Sequence, residues 1–228
     1  MVESSSPVNA TNVASCLPNA ARELVDPTSV LKRALDLLIT IPLCVFLLPL
    51  FLAISLSIKA DSKGPVFFIQ KRRGRFFREF RVIKFRTLRH GAPDPCQRYE
   101  MLERDPRITL AGAVLRRTSL DELPQLFNVL AGSMSLVGPR PLVEWESQDC
   151  LKKYAERFRV KPGITGLSQV AVRNSVDFDA RANLDVEYVT RWNMWLDMRI
   201  LISTPPALIS GKGIYPKPTA KERKSRAA

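Results

Sequence analysis

The 228-residue chain is long enough for one ordinary domain with its own core. Its net charge of +13 at pH 7 calls for an anionic partner: nucleic acid, an acidic membrane surface or a phosphorylated substrate. The four cysteines (16, 44, 96 and 150) form no C-x-x-C pair, which argues against zinc and against a disulfide framework, and the single histidine, His90, leaves little room for histidine-based catalysis.

Residues 1–29 are rich in Ser, Asn, Ala and Pro and read as a mobile N-terminal tail. The next segment, "LKRALDLLITIPLCVFLLPLFLAISLSIKAD", carries no charge from Leu37 to Ile58. A straight helix over Leu35 to Ile58 would be about 36 Å long, enough for a hydrocarbon core of about 30 Å. Two prolines interrupt it, Pro42 and Pro49. Pro49 leaves pieces of roughly 21 and 14 Å, neither of which spans alone. Lys32 and Arg33 precede the segment, and Lys59 and Lys63 follow it. Positive charge on both flanks suits a hairpin that enters and leaves by one face. A proline-kinked span is the alternative.

Beyond "DSKGP", the runs "VFFIQ" and "EFRVIKF" predict a small β-hairpin. Nine Lys or Arg between Lys71 and Arg89, against the single acid Glu79, suit nucleic acid or anionic headgroups, and the adjoining apolar segment favours the headgroups. A short helix is predicted at "AGAVLRRT" and another at "DELPQLFNVLAG", ending at Gly132. "SLVGPRP" reads as extended or turning, and "SQDCLKKYAERFRV" as helical. "KPGITGLSQV" reads as a Gly-rich loop leading into a strand. "ANLDVEYVTRWNMWLDMRILIS" reads as one helix stopped by Pro205 and Pro206. Residues 215–228 are a basic tail.

The adjacent acids Asp121 and Glu122 admit two readings. In the first, Asp121 caps the helix, Pro124 falls in its first turn, and Leu123, Leu126, Phe127 and Leu130 form the buried stripe. In the second they perform chemistry. Arg116 and Arg117 lie just upstream, and Arg140 is held between Pro139 and Pro141, an arrangement suited to gripping phosphate. Two carboxylates suit Mg²⁺, and one left free of metal can attack phosphorus.

The ordered motifs "KRALD", "KGPVFFIQKRRG", "VIKFRT", "DPRITLAGAVLRRTSLDELPQLFNVLAGSMSLVGPRP", "KPGITGLSQV" and "LDVEYVTRWNMWLDMRI" together resemble the bacterial sugar transferases, monotopic polyprenyl-phosphate phosphoglycosyl transferases. The resemblance covers about residues 30 to 214. It implies an α+β, mainly helical fold: a re-entrant membrane helix over 30–60, then a membrane-associated catalytic domain over 61–214 with a small β-hairpin and surface-lying amphipathic helices. Asp121 would be the nucleophile on a UDP-sugar, releasing UMP and leaving an aspartyl phosphosugar that polyprenyl (undecaprenyl) phosphate then takes up. Glu122 would bind Mg²⁺, while Arg116, Lys84 and the Pro139-Arg140-Pro141 turn would hold phosphate. Leu48 and Pro49 would break the membrane helix, where members often have Ser before the proline. Lys32, Arg33 and Asp36 would neutralise one another where it enters the headgroups. The implied setting is the cytoplasmic face of a bacterial inner membrane, in exopolysaccharide or other glycoconjugate synthesis. Anionic lipid is an expected partner, nucleic acid is not, and homo-oligomerisation stays open. A non-catalytic basic scaffold and a lipid-diphosphate phosphatase using Asp121 are the competing readings.

Overall fold

A computed structural model describes residues 30–92, 105–172 and 177–209. The tails expected at 1–29 and 215–228, with Cys16 and Cys96, lie outside the described residues.

The apolar segment forms two helices, α1 (Val30–Phe46) and α2 (Leu48–Asp61), bent by 59° at Leu47. At 1.5 Å per residue the arms are about 25 and 21 Å long. No single helix among the described residues is long and apolar enough to cross a membrane. The break falls one residue earlier than the expected Leu48-Pro49 pair. Leu48 and Pro49 open α2 instead, where a missing N–H costs no intrahelical bond. Pro42 stays inside α1 without breaking it. Leu38, Val45 and Phe46 on one arm and Leu48, Leu52 and Leu56 on the other are exposed. Ile39 and Leu43 of α1 pack against the body, and Phe51, Ile54 and Ile58 of α2 are buried.

The entry residues find their partners in the body rather than in one another. They clasp α1 to the body. Lys32 Nζ donates to Asp197 Oδ2 at 2.5 Å, Val137 O at 3.1 Å and Tyr188 Oη at 3.3 Å. Arg33 donates to the carbonyls of Val129 (2.6 Å) and Leu130 (2.9 Å). Asp36 accepts from Ser135 Oγ and the Leu136 N–H. These backbone and buried-acid partners lie about 100 or more residues away in sequence, so local i, i+4 spacing could not reveal them.

The expected hairpin is present: β1 (Phe67–Arg73) pairs antiparallel with β2 (Glu79–Phe85), Ile69 opposite Ile83. Phe85 stacks with Phe67 at 5.6 Å and meets Phe51 of α2 at 5.3 Å. Next come α3 (Leu110–Thr118), a 3₁₀ turn at Leu120–Glu122, and α4 (Gln125–Leu130). Thr109 caps α3 by accepting from the Gly112 N–H, and Asp61 at the end of α2 accepts from Ala111 N. A two-stranded parallel pair, β3 (Ser135–Val137) with β4 (Gly163–Thr165), completes the sheet content among the described residues.

Three sequence expectations are corrected. "DELPQLFNVLAG" does not form one helix capped by Asp121. Ser119 takes a left-handed conformation (φ 58°), which ends α3, and the acids sit on the 3₁₀ turn that follows. No side chain caps that turn or α4. Of the proposed stripe only Leu126 is buried; Phe127 is exposed, and Val129 fills the core position. Second, the strand in "KPGITGLSQV" is the Gly163–Thr165 part, while "LSQV" belongs to helix α6 (Leu167–Ala171). Third, the long C-terminal helix is two: α7 (Phe178–Thr190) and α8 (Met194–Ile209). Asn193 accepts from the Leu196 N–H and starts α8, and Pro205 and Pro206 lie within it. "SQDCLKKYAERFRV" is α5 (Glu144–Lys153) followed by a 3₁₀ turn at Ala155–Arg159.

Candidate active site

The 3₁₀ turn holds Asp121 and Glu122 at the wall of a cavity of about 640 Å³. Glu122 is anchored from two sides. Lys84 of β2 donates to Oε1 at 2.9 Å. Arg140 donates to Oε1 at 2.8 Å and to Oε2 at 3.3 Å. Among the described residues no hydrogen bond ends on the Asp121 carboxylate. One acid is locked by cations while its neighbour faces the cavity uncommitted.

Electrostatics sharpen that division. Burial would raise the Glu122 carboxyl, but Arg140 and Lys84 outweigh it and hold it well below the usual carboxylate range. Burial pushes Asp121 up to about 6; the Glu122 charge adds to this, while Lys84, Arg116 and Arg140 oppose it. Glu122 in turn raises the Arg140 pKa, so the guanidinium stays charged.

The backbone around Arg140 is tightly determined. Gly163 N donates to Pro139 O, and Gly138 N to Thr165 O. The two strands approach so closely that a Cβ on Gly163 would lie 2.1 Å from Gly138 N. The Arg140 carbonyl accepts from Arg157, which is paired at 2.6 Å with buried Asp185. Asp185 also accepts from Ser168 Oγ at 2.6 Å. The Arg140 side chain, although paired with Glu122, stays 42% exposed and remains accessible to a substrate. Arg116 is aimed by Thr87, whose hydroxyl accepts from its Nε at 2.8 Å.

The structure therefore gathers Lys84, Arg116, Asp121, Glu122 and Arg140 around one cavity. Pro139 and Pro141 shape the turn from outside the lining, and exposed His90 lies away from it. Sequence reasoning missed Gln70 and Arg72, which line the cavity from the same face of β1. Strand periodicity puts Phe68, Gln70 and Arg72 on one face, but with Lys71 and Arg73 also charged no polar alternation singles that face out. It also missed Arg157 and Asp185, which no local spacing connects. The apolar wall includes Leu43 of α1, Leu126 and Leu201, so the bent helix borders the same cavity as the acids.

A family model described as bacterial sugar transferase matches residues 27–211. The chain belongs to this family. Among its relatives, a UDP-glucose:undecaprenyl-phosphate glucose-1-phosphate transferase of Xanthomonas campestris pv. campestris is 41% identical over 194 residues, which is 82% of this chain and 40% of the relative. An undecaprenyl-phosphate galactose phosphotransferase of Salmonella typhimurium is 40% identical over 199 residues, 81% of this chain and 42% of that one. The exopolysaccharide production protein ExoY of Sinorhizobium fredii is 38% identical over 200 residues, covering 81% of this chain and 88% of the relative. The chain thus spans about two fifths of the first two relatives and most of the third.

Proposed function

We propose that this sugar transferase moves a sugar 1-phosphate from a UDP-sugar to polyprenyl phosphate through a covalent intermediate on Asp121. The observation that carries the reading is the uncommitted Asp121 carboxylate beside an anchored Glu122. An Asp121 oxygen forms a bond to the sugar-proximal phosphorus. The bond from that phosphorus to the bridging oxygen breaks, and UMP leaves with that oxygen. A phosphate oxygen of the lipid then attacks the same phosphorus, the aspartyl P–O bond breaks, and the carboxylate is restored. Arg140 and Arg116 hold the phosphate charge that both displacements develop. Two successive displacements let nucleotide and lipid use one site in turn. The relatives' names support both substrates, since undecaprenyl phosphate and glucose or galactose recur in them.

Mg²⁺ is part of the proposal. Among the described residues no three His, Cys, Asp or Glu side chains are grouped as a metal cage. A carboxylate offers about four lone-pair sites, and Lys84 and Arg140 occupy three of them on Glu122. One Glu122 site and the free Asp121 oxygens fit an ion that takes few protein ligands and completes its shell with water and diphosphate. When bound, it would neutralise diphosphate charge.

We also propose that α1 and α2 enter and leave a membrane by the same leaflet, on the cytoplasmic face, with anionic lipid beneath. Two arms too short to span, a 59° bend and exposed apolar side chains on both arms support this. Measuring UMP release from a panel of UDP-sugars, with and without polyprenyl phosphate, tests the assignment. Transfer predicts UMP with at least one sugar, and multiple turnovers only with the lipid. No UMP from any sugar would support a scaffold, and lipid-independent turnover a phosphatase. Loss of turnover in EDTA is expected from the metal proposal; full activity there would remove it.

A further inference from the structure

Away from the cavity, three cations converge at the start of α1. Gly132, with φ +81°, leaves an opening into which a Cβ would point 3.7 Å from Arg33 Nη2 and 3.8 Å from Lys161 Nζ. The two nitrogens are therefore no more than about 7.5 Å apart, within reach of one phosphate group. Arg75 is the third cation. Its Nε donates to Arg159 O, two residues before Lys161, and its guanidinium lies 4.5 Å from the centre of the Phe76 ring. No hydrogen bond or ion pair engages the Lys161 ammonium among the described residues. The nearby acid, Asp36, is committed to Ser135 and Leu136. Burial, then the charge of Arg33, lower the Lys161 pKa; Asp36 opposes this and Arg75 adds to it.

The hairpin turn beside this cluster is strained. Phe76 (φ 53°) and Phe77 (φ 60°) both occupy the left-handed region that side chains disfavour. The turn sends Phe77 into the core against Phe158, at 5.2 Å, and leaves Phe76 41% exposed. An outward aromatic next to cations suits the headgroup level of a bilayer.

We propose that Arg33, Lys161 and Arg75, flanked by Phe76, form a binding site for the phosphate of an anionic phospholipid. The proposal rests on the re-entrant reading. If both ends of the bent pair lie at headgroup level, Arg33, one turn from the start of α1, lies there too. The lipid phosphate gives the Lys161 ammonium an anionic partner. The site is separate from the cavity, whose lining contains none of these four residues.

Native mass spectrometry of the detergent-purified full chain tests it, with phosphatidylglycerol and phosphatidylcholine as probes. The wild type should retain phosphatidylglycerol preferentially. Lys161→Gln and Arg75→Gln should each weaken that retention about fivefold, the effect of about one basic residue at an anionic surface. Unchanged preference in both variants would overturn the site. Millimolar inorganic phosphate should not displace the lipid; if it does, and binds alone, the site is one for free phosphate and the lipid assignment falls. Lys161→Gln should also leave thermal stability equal or higher, because it relieves like-charge crowding. A marked loss would make Lys161 a structural residue instead. Labelling a cysteine placed at Ser5 reports topology independently, so failure of the re-entrant reading is distinguishable from failure of this site.

Discussion

Replacing Lys32 with Met tests whether the bent apolar helix pair is fastened to the body by charge. The side chains of Lys32 and Asp197 are 8% and 1% exposed, so water cannot rescue either. Breaking a buried pair by removing one partner costs about 3–5 kcal/mol. Here Asp197 keeps Tyr188 Oη at 2.7 Å and Trp192 Nε1 at 3.2 Å as donors, which places the loss near the lower end, at about 3 kcal/mol. For a domain of this size 1 kcal/mol shifts the melting temperature by about 2–4 °C. Lys32→Met should therefore lower it by roughly 6–12 °C in detergent. Lys32→Met/Asp197→Leu, which replaces the pair by apolar groups, should recover much of the loss. A drop below about 2 °C in the single variant, or a double variant that is merely additive, would refute the clasp.

Three further outcomes follow from the same geometry. Arg140→Lys cannot reproduce the two-nitrogen grip on Glu122 and phosphate; kcat/KM for the UDP-sugar should fall at least about tenfold, and wild-type kinetics would remove Arg140 from the site. Gly163→Ala drives a Cβ into Gly138 N and Thr165 O, displacing the Pro139-Arg140-Pro141 turn. Melting should drop by about 1–3 kcal/mol equivalent along with activity, and an unperturbed variant would show the close approach is dispensable. Pro49→Ala restores an N–H at the break and should favour a straight, spanning segment, moving the N-terminal tail across the membrane. Labelling at Ser5 in a cysteine-free background reads that side, and an unmoved tail would show that the bend at Leu47 does not depend on Pro49.

What the sequence disclosed was local. Alternation in "EFRVIKF" marks β2, and two prolines in an uncharged run mark a broken helix, because both signals lie within a few residues. The apposition of Asp121, Glu122 and Arg140 was legible as residue types in a pattern. Its division of labour was not, because Lys84 reaches Glu122 from a strand 38 residues away. The capping reading failed for a similar reason. Ser119 adopts a left-handed backbone that ends α3 two residues before Asp121, and nothing in the local residue pattern announces that. The spacing of Lys32, Arg33 and Asp36 misled most about their partners. Lys32, Arg33 and Asp36 have ideal spacing for pairing on one helix, yet buried carbonyls and Asp197 offered stronger partners. Arg157 and Asp185, which hold the Arg140 carbonyl, come from different elements and meet only in the folded chain.

The most direct test of the central claim is intact-protein mass spectrometry of the enzyme mixed with a UDP-sugar it turns over, without lipid acceptor. The account predicts a mass gain of one phosphosugar on Asp121, removed on addition of polyprenyl phosphate and absent in Asp121→Asn. Lipid-dependent turnover by Asp121→Asn near the wild-type rate, or an adduct mapped to another residue, would contradict it.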